Sequence, residues 1–301
     1  MREPYPLALV PLLPQFLTRR RAKADFPLRA MERLGLDRPS YFFAIDLGIQ
    51  DPRGARPQDI GNATYRTSDE PLRATAAAAE SARLITWADG HWSLTDKGRT
   101  ALDEFRRAID AHYSSLSASL SPIPADELDR LASLLDQAVR AVSTSAEPKT
   151  REHTPRGARH RWQEPSSAMA RLDAAIFGLW QVRDDCHVQA WRDAGLAGPA
   201  LDVLTKVWRK EAKTVEELSG AARPEADTRA ALQELRDSGL LAPGPDQSDQ
   251  ADLSVTAKGT GTRERIEAET DRYFFAPWPD SVGTKADWII DRLGAVNAAL
   301  A

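Results

Sequence analysis

The chain has a single cysteine, Cys186, among its 301 residues, which excludes an internal disulfide and any cysteine-built metal cage and points to a reducing cytoplasm. Histidine is scarce too, with five residues and no pair at helical ligand spacing; His153 and His160 fall in a polar connecting stretch, so no metal site is expected. There is no glycine loop of the phosphate-cradling kind and no serine in a nucleophile-elbow context, and no cofactor is implied. An excess of basic charge is missing as well: the formal net charge is −4, unlike a chain that lives on phosphate backbones. No apolar run is suited to a bilayer. The opening from Pro6 to Leu17 is broken by Pro11 and Pro14, and its basic cluster Arg19-Arg20-Arg21 follows the apolar run, the reverse of an export signal. It reads as an N-terminal packing segment, with no membrane partner.

What the chain does have is an internal duplication. Gly35-Leu36 recurs as Gly195-Leu196, Pro39 as Pro199, Thr95-Asp96-Lys97-Gly98 as Thr256-Ala257-Lys258-Gly259, and Tyr113 as Tyr273. That period is a whole small domain, so two similar domains packed about a pseudo-two-fold axis are expected. The chain, 42% hydrophobic and 28% charged, has room for both.

The first copy reads as helix Tyr41 to Gly48, a short helix Gln58 to Tyr65, an alanine-rich helix capped near Ser68 and running to Leu84, a hairpin across Ile85 to Thr95 with an Asp89-Gly90 turn, and a long helix from Asp96 past Tyr113. The second repeats the order: Pro199 to Trp208, Thr214 to Ala221, Pro224 to Gly239, a hairpin across Leu240 to Val255, and a helix from Ala257 to Phe274. The expected division is a first winged-helix domain with terminal helices over 1–142, a Ser-, Thr-, Pro- and Arg-rich linker over 143–167, and a second such domain over 168–301. The linker cations Lys149, Arg151, Arg156, Arg159 and Arg161 read as a solvated stretch able to meet an anion.

The order of elements, the Leu94-Thr95-Asp96-Lys97-Gly98 exit from the wing and the long flanking helices resemble a MarR-type regulator, here as a dimer fused in one chain. The fold class implied is mainly α with small β-hairpin wings. The second half is also similar to an actinobacterial family of tandem helix-turn-helix proteins of poorly defined activity, through Arg183-Asp184-Asp185-Cys186-His187, Ile266-Glu267-Ala268-Glu269-Thr270-Asp271 and Pro277-Trp278. Asp184 and Cys186 stand where that family has glycines.

The resemblance implies DNA binding, with Arg73, Arg83, Arg229 and Arg236 as the cations of the two third helices. The charge pattern opposes it. Neither wing tip carries a cation: the first is Asp89-Gly90-His91 and the second runs Asp246-Gln247-Ser248-Asp249-Gln250-Ala251-Asp252. The alternative rests on the helix before Asp193, where Met169, Leu172, Ile176, Trp180 and Trp191 form an apolar stripe whose spacing continues through Arg183 and His187. On this reading a small organic ligand, anionic or aromatic, is clamped by Arg183 and bounded by Trp180, Trp191, Glu267, Thr270, Asp271 and Trp278 on the second-half side of an interdomain cavity. His187 would supply acid/base chemistry, oriented by Asp184 or Asp185. A satisfied Arg–carboxylate network is the plainer reading of the same residues. The sequence thus leaves open a ligand-binding protein or enzyme, a ligand-responsive regulator reading two successive major grooves as a single-chain pseudo-dimer, and a protein-interaction module.

Overall fold

Leu9, Leu13 and Phe16 are fully buried, so the N-terminal apolar segment is core, held further by Asn297 donating to the Leu12 carbonyl at 3.0 Å. The computed structural model describes residues 4–24, 26–50, 54–60, 64–120, 123–155, 157, 167–243 and 253–301. Along the chain, 3-10 turns at Leu7–Leu9 and Pro57–Asp59 accompany helices α1 (Leu12–Ala22), α2 (Phe26–Leu34), α3 (Arg38–Gln50) and α4 (Glu70–Ser81). Strands β1 (Ile85–Ala88) and β2 (His91–Leu94) precede α5 (Asp96–Ser119), α6 (Ala125–Thr144) and α7 (Ala168–Asp193). Then come α8 (Gly198–Trp208), α9 (Val215–Leu218), α10 (Glu225–Asp237), α11 (Ala257–Phe275), α12 (Asp280–Gly283) and α13 (Ala286–Ala299). The protein is mainly helical with a small antiparallel hairpin, and among the described residues no helix is long and apolar enough to cross a membrane.

The chain packs as two units, neither coinciding with a sequence half. Unit 1 comprises Met1–Ala55, Ala76–Cys186 and Asp271–Ala301; unit 2 comprises Arg56–Thr75 and His187–Thr270.

In unit 1 the wing forms as expected. β1 pairs β2 with Trp87 opposite Trp92, and the turn residues Asp89 and Gly90 both take positive φ, 50° and 80°, the type I′ geometry that matches strand twist. Ala55 adds a bridge to Trp92 through two backbone hydrogen bonds of 2.9 and 3.0 Å, and Trp92 meets the Phe43 ring edge-on at 5.3 Å. The core continues through Leu131, Leu135, Leu172, Ile176 and Leu179 to the aromatic cluster Phe274, Phe275 and Trp278.

In unit 2, α8 packs on α10 through Leu201, Leu204, Ala231 and Leu235. The capping box of α9 explains so short a helix: Thr214 Oγ1 accepts from the Glu217 N–H at 3.2 Å while Glu217 Oε2 accepts from the Thr214 N–H at 3.2 Å. The second wing begins as a bridge between Leu241 and Val255; its tip, Asp246 to Asp252, lies outside the described residues.

The recurring sequence marks take the same local geometry at both places. After α2 and α7 the chain turns at Gly35 (φ 65°) and Gly195 (φ 75°), and the Leu36 and Leu196 N–H groups reach back to the Met31 and Trp191 carbonyls at 3.0 and 3.1 Å, a Schellman stop in both copies. After each wing, Thr95 Oγ1 donates to the Arg83 carbonyl at 2.6 Å and accepts from the Gly98 N–H at 3.1 Å, while Thr256 Oγ1 donates to the Gly239 carbonyl at 2.7 Å and accepts from the Gly259 N–H at 3.0 Å. Lys97 and Lys258 cap the preceding helices at the Ala82 and Ser238 carbonyls, 2.8 and 2.7 Å away. The glycine is obligatory because the backbone of Leu84 or Leu240, just past the end of the preceding helix, occupies its side-chain space. A Cβ on Gly98 would lie 2.0 Å from the Leu84 carbonyl oxygen, and one on Gly259 would lie 2.1 Å from that of Leu240.

Gly98→Ala and Gly259→Ala should each lower stability by about 1–3 kcal/mol, the range for forced overpacking. Gly261→Ala and Gly294→Ala, where a Cβ meets nothing within 4 Å inside a helix, should raise it by roughly 0.5–1 kcal/mol. Urea unfolding of the four variants measures both effects, and equal behaviour of the two pairs would refute this account of the repeat.

Candidate functional site

Helix α7 carries the residues on which the sequence-based reading of function rests, and it differs from the one-stripe helix expected. It is buried on most sides: Met169, Leu172, Ile176 and Trp191 are in the core, and so are Ala174, Ala175, Leu179, Val182 and Cys186. In a helix buried nearly all round, apolar spacing no longer tells which polar residues face inward. The most deeply buried polar residues of α7 are Asp173, Gln181 and Asp185, at 1%, 4% and 0% exposure, whereas Asp184, Arg183 and His187 are half-buried.

Asp185 does not orient an imidazole. One carboxylate oxygen accepts from the Glu152 and His153 N–H groups, each at 2.8 Å, and the other accepts from the Thr154 N–H and hydroxyl at 2.8 and 2.6 Å. These bonds satisfy a buried charge and fasten the chain entering α7. The connecting stretch is therefore packed where it is described: Thr150 and His153 are buried, and Arg151 donates to the Val142 and Ser145 carbonyls at 3.2 and 3.0 Å. Arg156, Arg159, His160 and Arg161 lie outside the described residues.

The remaining candidates fall in different places. Within unit 1, Arg183 pairs with Asp271 at 2.9 Å, 5.9 Å from the Phe274 ring centroid, and Trp278 is core against Phe274 and Phe275. Within unit 2, His187 Nδ1 lies 3.1 Å from Thr270 Oγ1, whose own proton goes to the Ile266 carbonyl at 2.7 Å. Trp191 is buried beside Tyr65, and Trp180 is half-buried. Glu267 pairs with the buried Arg263, whose Nε donates to Thr205 Oγ1 at 3.0 Å and whose guanidinium stands over Trp208.

The third-helix cations differ in their surroundings. Arg229 makes two hydrogen bonds to Glu225, at 2.9 and 2.7 Å; Arg236 is half-buried; Arg73 is exposed; Arg83 is the exposed residue that ends its helix with φ 61°. Thr67 and Ser68, just before α4, donate their N–H groups to the Ala222 carbonyl, just before α10, at 3.1 and 3.4 Å. With two and three residues left to the helix starts, the starts of α4 and α10 are no more than about 25 Å apart. Reading successive major grooves needs about 34 Å.

A site that the sequence did not reveal lies in unit 1. A cavity of about 440 Å³ opens between α1, α2, α3 and α5, with Phe177 of α7 contributing. Its walls are apolar and aromatic: Phe42, Ile45, Ile49, Phe105, Ile109 and Phe177. Its polar groups are Arg20, Arg21, Arg38, Asp46, His112 and Tyr113. None of Trp180, Arg183, His187, Thr270 or Trp278 lines it.

The polar end is anchored by a buried network. Asp173 pairs with Arg20 and accepts from the Tyr113 hydroxyl at 2.5 Å, with the Arg20 and Asp173 side chains only 12% and 2% exposed. Burial would lower the Arg20 pKa, but the Asp173 charge outweighs it and holds the guanidinium above its ordinary value. Burial, reinforced by Asp173, pushes the Tyr113 phenol well above its own, so Tyr113 stays a neutral donor. Arg20 is thereby neutralised. Arg21, lowered by partial desolvation along its stem and by its neighbour Arg20, remains cationic with Arg38, against the carboxylate of Asp46. Among the described lining residues, Arg21 and Arg38 exceed Asp46 by one positive charge. Arg21 and Arg38 are exposed and Ile45, Ile109 and Tyr113 buried, so the guanidiniums sit toward the mouth. The one sequence signal of this site was Arg19-Arg20-Arg21, and it reads equally well as the polar end of a packing segment. Among the described residues no cluster of His, Cys, Asp or Glu could hold a metal ion.

Asp173→Asn should destabilise the protein by about 3–5 kcal/mol, because it leaves Arg20 buried and uncompensated. Tyr113→Phe, which removes one charge-assisted hydrogen bond, should cost about 1.5–3 kcal/mol. Denaturant unfolding ranks the two variants, and a neutral Asp173→Asn would contradict the network.

No curated protein and no solved structure matches the chain. Residues 156–301 match the model of a helix-turn-helix family, which supports a helix-turn-helix domain in that part of the chain.

Proposed function

We propose that the protein binds an organic anion with a flat apolar body, and that its site is the cavity of unit 1. The observation that carries this reading is the lining: aromatic and aliphatic walls with one uncompensated positive charge contributed by Arg21 and Arg38. Apolar concavity supplies the affinity and the guanidiniums fix the anionic end. The scaffold we take to be two MarR-like winged-helix domains fused as a pseudo-dimer and working as a single chain in the cytoplasm. The repeated Thr-x-Lys-Gly wing exits and Schellman stops support this. His187 does not line this cavity, so acid/base turnover at His187 gains nothing from it. The site is one of binding.

A second reading, a ligand-responsive DNA-binding regulator, is favoured by the helix-turn-helix match over residues 156–301. On that reading the starts of α4 and α10 would present one joint surface, since they are too close for successive grooves. Salt-sensitive binding to the DNA flanking its own gene is the observation that would bring this reading forward.

Calorimetric titration with aromatic carboxylates should show saturable binding to one site per chain. Arg38→Ala, at an exposed position, should leave the fold intact and weaken binding at least roughly tenfold, the loss expected for a hydrogen bond to a charged group. Absence of binding across the panel, or full affinity in Arg38→Ala, would reject the proposal.

A further inference from the structure

Beside the cavity lies a second recess of about 490 Å³, lined by Arg29, Arg33, Tyr41, Glu104, Phe105 and Arg107. The same three helices, α2, α3 and α5, build both, and Phe105 lines both. On α5 the recess residue Ala108 is four residues, a rise of about 6 Å, from the cavity residue His112, and Phe105 is a wall common to the two spaces. Phe105 is held in that position edge-on to Tyr41 and Phe42, at 6.5 and 6.1 Å.

The two spaces differ in charge. In the recess, Glu104 is taken by Arg33. Among the described lining residues, Arg29 and Arg107 add two further positive charges on exposed side chains, beside the buried Tyr41. Burial, then Glu104, pushes the Tyr41 phenol up to about 12, so it is a neutral hydrogen-bond donor there. Two guanidiniums and a phenol suit a group that is doubly charged and rich in acceptor oxygens. A phosphate carries about −1.5 to −2 at neutral pH and three such oxygens. A carboxylate would satisfy only half of that charge.

We infer that the ligand is bipartite: an aromatic or acyl body in the cavity, joined to a phosphate or diphosphate seated between Arg29 and Arg107. The inference rests on the cavity being the ligand site. Two sources share this chemistry, an aryl phosphate and an acyl thioester of a phosphate-bearing nucleotide carrier.

Calorimetric titration of the full chain with 4-hydroxybenzoate, 4-carboxyphenyl phosphate, benzoyl-coenzyme A and inorganic phosphate separates the possibilities. At least one of the two phosphate-bearing aromatics should bind ten times or more tighter than 4-hydroxybenzoate, and the tighter of them identifies the source. Arg29→Ala/Arg107→Ala should abolish that advantage while leaving 4-hydroxybenzoate affinity unchanged; Arg29→Lys/Arg107→Lys should keep part of it, and it serves as the test if the alanine pair is unstable. Equal affinity for phosphorylated and unphosphorylated aromatics overturns the recess and leaves the cavity standing. An advantage that survives the double variant, or tight binding of inorganic phosphate lost in Arg38→Ala, places the phosphate elsewhere and overturns it too. If no aromatic probe binds, the cavity reading fails and takes this inference with it.

Discussion

The buried carboxylate of Asp173 is the constraint on which unit 1 depends. A charge taken out of water is costly unless it is met, and this one is met by Arg20 from α1 and Tyr113 from α5. Three helices far apart in sequence are thereby fixed at one point. The network also sets the chemistry beside it: Arg20 and Asp173 cancel, and the charge balance of the adjoining cavity passes to Arg21, Arg38 and Asp46. The repeat mark Tyr113 has its counterpart in Tyr273, yet the position one period before Asp173 is Leu13, an apolar core residue. The recurring marks share local backbone geometry and differ in the buried charge around them.

The same logic governs Asp185, which meets three backbone N–H groups and a hydroxyl. One helix thus carries two buried carboxylates with opposite tasks: Asp173 ties helices together through side chains, and Asp185 fastens the chain that leads into α7. Arg223 and Arg263 in unit 2 are the cationic counterparts, each buried and paired with a carboxylate, Asp202 and Glu267. In each unit, buried charge is part of how helices are held in register.

Much of the fold was legible in the sequence because it is written in backbone chemistry. Asp89-Gly90 demands a turn with two positive φ values, Gly35 and Gly195 demand left-handed helix stops, and Thr-x-Lys-Gly demands a hydroxyl bridge and a missing Cβ. Such signals are local and do not need the tertiary structure to be read. The cavity was not legible. Its lining comes from five helices, and its key charges are ordinary in sequence: Arg20 sits in a cluster that looks like a solvated flank, and Asp173 sits next to Leu172 in a helix taken to have one buried stripe. Arg183 and His187 stood out because they interrupted that stripe. Once α7 proved buried nearly all round, the interruption lost its meaning, and Arg183 was found paired with Asp271. The DNA-binding expectation met a spacing problem that no composition could reveal, since the hydrogen bonds from Thr67 and Ser68 to Ala222 join segments more than 150 residues apart.

The most direct test of this account is a crystal structure of the protein soaked with an aromatic carboxylate. The account predicts density in the cavity of unit 1, with the carboxylate against Arg21 and Arg38 and the ring against the apolar walls formed by Phe42, Ile109 and Phe177. Density beside Arg183 or His187, with the unit 1 cavity still empty at saturating ligand, would contradict it.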